Sequence, residues 1–156
     1  MQTERPVRGT RYEDDFTLWA EEQAAALNEG RFADLDLVNL ADEIGGLSRS
    51  DKQQIGSRLT TLLLHLLKHA YQPERATRSW KSTQTQQAAA IEELIRVSPS
   101  LRSQVAARLP VAYRRARKLA AIETGLKLGT FPTEPPEVVL TGLRRALEDA
   151  RSDERA

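Results

Sequence analysis

The sequence predicts an all-α protein, a compact bundle of about six helices around a central leucine-rich helix. Three observations carry that prediction. Apolar residues recur at steps of three and four along most of the chain, and no stretch alternates as a strand does. Glycine and proline fall where those patterns stop. The run from Ile55 to Tyr71, IGSRLTTLLLHLLKHAY, carries more apolar surface than a single neighbour can cover.

Residues 1–11 read as a flexible N-terminal segment, 12–151 as a single helical domain and 152–156 as a frayed end. Thr10 and Glu13 fit a capping box for a first helix, whose stripe is Tyr12, Phe16, Trp19, Gln23 and Leu27, ended by Gly30. Asp34 or Asp36 can cap a second helix with Leu37, Leu40, Ala41, Ile44 and Leu47 on its apolar side. Gly45 and Gly46 weaken its end and predict a corner or kink, with Ser48 and Asp51 as start signals for the central helix. In that helix, at about 100° per residue, Ile55, Leu59, Leu62, Leu63, Leu66, Leu67 and Ala70 share one broad arc.

Gln72-Pro73-Glu74 then breaks the pattern. A fourth helix spans about 78–97, with Trp80, Gln84, Ala88, Ile91 and Ile95 on one side. Ser98-Pro99 opens a fifth, whose face runs through Leu101, Val105, Leu109, Ala112, Ala116, Leu119 and Ala120. Pro110 predicts a kink or two short helices near Leu109, and Thr124-Gly125 a stop. Residues 126–136 read as irregular, anchored by Leu126, Leu128 and Phe131, before a last helix over about 137–151.

A chain of 156 residues can bury roughly 70% of its unfolded surface without a staple. It has no cysteine, which removes disulfides, thiolate metal sites and a cysteine nucleophile. No apolar run reaches bilayer length, and the expected setting is soluble and cytoplasmic, with no membrane partner. Net charge is +1 but unevenly placed. Residues 1–48 hold 4 Lys and Arg against 11 Asp and Glu (−7), residues 49–127 hold 15 against 5 (+10), and residues 128–156 hold 4 against 6 (−2).

The ordered succession YEDDFTLWAEEQ, LDLVNLADEIGGL, LLLHLLKHAYQPE, SW with Thr83, SPSL, AYRRAR, ETGL and FP resembles the bacterial domain of unknown function numbered twenty-nine, from Tyr12 to about Pro132. The resemblance implies a small, compact, all-helical bacterial protein with no established activity. Two positions depart from the family's usual pattern. His69 stands where tryptophan is usual, which argues against a paired metal site, and Pro110 interrupts a helix that usually runs on.

Four kinds of chemistry have candidate residues. A polar arc on the central helix holds Arg58, His65, Lys68 and Gln72, and Asp36, Asn39 and Glu43 share a face of the preceding helix that could pack along it. Within that set Glu43 and His65 are the candidates for acid and base work. His65 and His69, four apart, are weak metal candidates, since Leu66 stands where a zincin needs glutamate. Arg75, Arg78, Lys81, Arg114, Arg115 and Lys118 could meet nucleic acid, with Tyr71, Trp80 and Tyr113 as stacking surfaces. No nucleophile elbow, phosphate loop or dinucleotide fingerprint occurs, and no cofactor is expected. The reading favoured over nucleic-acid binding, and over an enzyme or metal site, is a non-catalytic interaction module that binds itself or a protein partner.

Overall fold

The computed structural model describes residues 9–153. Those residues form five α-helices and no strand: α1 Phe16–Asn28, α2 Leu37–Tyr71, α3 Arg78–Val97, α4 Arg102–Thr124 and α5 Glu137–Asp153. The chain divides into two compact units, Met1–Arg49 and Ser50–Ala156.

The helix count differs from the expected six because the second and central helices are one, 35 residues long. Gly45 and Gly46 stay helical, with φ negative at both. Each glycine costs about 1 kcal/mol relative to alanine in a helix interior. The helix runs on because its apolar period stays in phase, from Leu37, Leu40, Ile44 and Leu47 to Ile55 and Leu59. Arg49 also reaches back over the glycine pair to Asp42, 3.3 Å from its carboxylate.

In the first unit α1 is capped by Asp15, which accepts from the Leu18 N–H; the Thr10 and Glu13 box does not form. Thr10 instead donates through its N–H and hydroxyl to Glu22. Tyr12, Phe16 and Trp19 pack edge to face or tilted, with centroids 4.9–5.7 Å apart. Of α1, only Trp19, Gln23 and Ala26 are buried. Asp36 caps α2, accepting from the Asn39 backbone N–H at 3.3 Å.

The second unit is built on the C-terminal half of α2. Ile55, Leu59, Leu62, Leu63 and Leu67 are completely buried, as the arc predicted. Each is worth roughly 1.5–3 kcal/mol relative to an exposed side chain. They pack with Ala88, Ile91 and Ile95 of α3, Ala112, Tyr113, Ala116 and Ala120 of α4, and Val139, Leu143 and Leu147 of α5. Gly142 lets α5 approach α2 closely, since a Cβ there would sit 2.8 Å from Leu66 Cδ2.

α3 begins and ends where the pattern set it, and Thr77 caps it. Pro99 opens a 3-10 turn, Pro99–Leu101, rather than the α-helix itself. α4 runs unbroken through Pro110 instead of splitting near Leu109. Its exposed Leu119 lies off the core face. Gly125, at φ 73°, supplies the left-handed stop. The segment after it is held by Tyr113, whose hydroxyl donates to the Pro132 carbonyl at 2.8 Å, and by Arg117, whose Nε donates to Phe131 O at 2.7 Å. Phe131 is fully buried there, whereas Leu128 is exposed.

Candidate functional site

The polar-arc residues fall in both units. Asp36, Asn39 and Glu43 belong to the first. The Asp36 carboxylate accepts from Asn39 Nδ2 at 2.7 Å and from Trp19 Nε1 at 3.3 Å, while its backbone N–H donates to Gln23 Oε1 at 2.7 Å. Glu43 accepts from the Tyr12 hydroxyl, and that bond, reinforced by burial and neighbouring acids, raises the phenol pKa. Because α2 is continuous, no separate second helix exists to lay this set along the His65 arc.

Arg58, His65, Lys68 and Gln72 belong to the second unit. Lys68 is buried. Its ammonium donates to Glu123 Oε2 at 2.6 Å and stands 4.6 Å from the centroid of Trp80. Gln72 donates to the Thr124 carbonyl and Gln84 to the His65 carbonyl, both at 3.3 Å. These contacts tie the ends of α3 and α4 to the last turns of α2. The His65 imidazole is held neutral to lower pH than usual, first by burial and then by the Lys68 charge, against the pull of Glu123. Its Nδ1 is buried without a partner, as is Arg58 Nε. Arg58 lines a polar groove of about 410 Å³ with Ser50, Gln53, Gln54, Ser57, Thr61 and Gln87.

His69 is exposed beside half-buried His65. Among the described residues no group of three or more His, Cys, Asp and Glu is placed to hold a metal ion. Arg75, Arg78, Lys81, Arg114, Arg115 and Lys118 are all exposed. None of the ion pairs among the described residues involves them. The aromatics expected beside them are engaged elsewhere. Tyr113 is buried, Tyr71 packs on Phe131 at 5.0 Å and Trp80 faces Lys68.

Two features lay outside the sequence reading. Glu92, 2% exposed, accepts from Arg102 through both carboxylate oxygens at 2.9 and 2.8 Å and from Arg151 at 3.3 Å. Burial pushes its carboxyl pKa up, but the two guanidiniums outweigh burial and hold it below the ordinary value. These partners are 10 and 59 positions away, so no local signal announces them.

The second feature is apolar. In the first unit Phe16, Leu18, Leu27, Phe32, Leu37, Val38, Ile44 and Leu47 are all exposed, the last five by 65–80%. Leu37, Ile44 and Leu47 lie on the helical face that, farther along α2, presents Ile55, Leu59 and Leu62 to the core. Single exposed leucines are ordinary; three apolar side chains on one side of a helix are less so.

The model of a family described as Domain of unknown function DUF29 matches residues 11–146, most of the chain. No curated protein and no solved structure matches. Among the described residues, no helix is long and apolar enough to cross a membrane.

Proposed function

The chain belongs to the DUF29 family, and for it we propose a non-catalytic role as an interaction module that associates through the bare apolar face of its first unit. The observation that carries this is the 65–68% exposure of Leu37, Ile44 and Leu47 on one side of α2. Such side chains gain roughly 1.5–3 kcal/mol each on full burial, so covering them drives association. A polar substitution on that face removes the driving force without touching either unit's interior.

A second reading, nucleic-acid binding, is supported by the six exposed cations Arg75, Arg78, Lys81, Arg114, Arg115 and Lys118, which have no carboxylate partner among the described residues. One experiment reads both. The tagged chain and its Ile44→Asp/Leu47→Asp variant are used to capture partners from extract of the native host, at low and high salt, with absorbance at 260 nm recorded. Loss of bound protein in the variant, with helicity kept, is the expected outcome. Equal capture by both chains would sink the apolar-face reading. A 260 nm excess released by salt, with capture indifferent to the variant, would replace it with the second.

A further inference from the structure

We propose that the occupant of the bare face is a second copy of this chain, which presents the outer face of its α4 as the counter-surface. The inference rests on the interaction-module reading and names its partner.

The counter-surface is visible in α4 itself. Val111, Arg114, Arg115, Lys118, Leu119 and Ile122 follow at steps of three and four, so they share one face, opposite the buried Ala112, Tyr113, Ala116 and Ala120. All six are exposed: the three apolar ones by 42%, 39% and 76%, interleaved with three cations. An exposed helix face that is half apolar and half basic needs a partner that is apolar and acidic.

The first unit has that composition. Residues 1–48 carry a formal charge of −7, and Glu13, Asp14 and Glu21 are exposed there. The unit also buries little of its own. Trp19, Gln23 and Ala26 are the buried side chains of α1. Reciprocal exchange, each first unit on the other copy's α4, closes as a two-fold dimer and uses both surfaces twice. A standard interface takes about 800 Å² from each partner, which one patch used once would have to supply alone.

The absence of cysteine makes the test clean. Ile44 and Ile122 are exposed by 65% and 76%, so each tolerates replacement, with helicity as the check. Ile44→Cys and Ile122→Cys chains are prepared separately, mixed, oxidised mildly and compared with each chain alone. Light scattering gives the mass of the wild-type chain. The expected results are twice the 17.5 kDa of one chain and a disulfide dimer formed mainly in the mixture. Arg114→Glu/Arg115→Glu should lower dimer affinity by about tenfold or more, since like charges would then meet.

Three results would overturn the proposal. One is a monomer mass with no inter-chain disulfide. Another is cross-linking confined to Ile44→Cys chains with one another, which would pair first unit with first unit. The third is a disulfide closing within single chains of an Ile44→Cys/Ile122→Cys double variant, prepared beside the two single ones. None of these decides the interaction-module reading, which fails only if Ile44→Asp/Leu47→Asp leaves capture from the host extract unchanged.

Discussion

The two halves of α2 have the same period and opposite fates. From Ile55 to Leu67 the apolar arc is covered by three other helices; between Leu37 and Leu47, Leu37, Ile44 and Leu47 are exposed and Leu40 is half-buried. Periodicity states that a face wants cover. What covers it is set by segments distant in sequence, and among the described residues they leave Leu37, Ile44 and Leu47 exposed.

The largest expected effect lies in the covered half. Leu63→Ala should cost about 2–5 kcal/mol in urea unfolding, because a fully buried leucine leaves a cavity its neighbours only partly fill. Stability at the wild-type level would remove α2 from the centre of the second unit.

Next comes the tie that gathers the helices around that half. Arg102→Ala should cost about 3 kcal/mol, since it leaves buried Glu92 with the longer Arg151 contact alone. Its pH dependence has a definite sign. A carboxyl held below its unfolded pKa adds stability at neutral pH and loses it as the solution is acidified from the ordinary carboxylate range through the depressed value. The variant raises the folded-state pKa of Glu92 toward the unfolded value, so the part of its stability that acidification removes should be smaller than in the wild type. Identical acid-unfolding profiles for the two proteins would contradict the tie.

The smallest effect is expected in the bare half. Ile44→Ala should change the unfolding of the second unit, read from hydrogen exchange of α3 amides, by no more than about 0.5 kcal/mol. A loss like that of Leu63→Ala would mean that Ile44 is not bare.

The candidate sites were legible unevenly for the same reason. The basic residues Arg114, Arg115 and Lys118 could be placed outward from the helical period alone, and they are exposed. Lys68 could not, because its burial depends on Trp80 and Glu123 arriving from two other helices. The stacking role given to Tyr71 and Tyr113 went the same way: Phe131 and Pro132, far along the chain, take up one ring and one hydroxyl.

By itself the sequence determined where helices form and stop. Caps, stop residues and the 3.6-residue period act within a few positions, so Arg78–Val97, the end of α4 at Gly125 and the leucine core could be read directly. The tertiary structure decided what needs partners from elsewhere. It buried Glu92 between two arginines and left Leu37, Ile44 and Leu47 exposed. Local rules assign a residue to a face; only packing between distant segments decides whether that face meets protein or water.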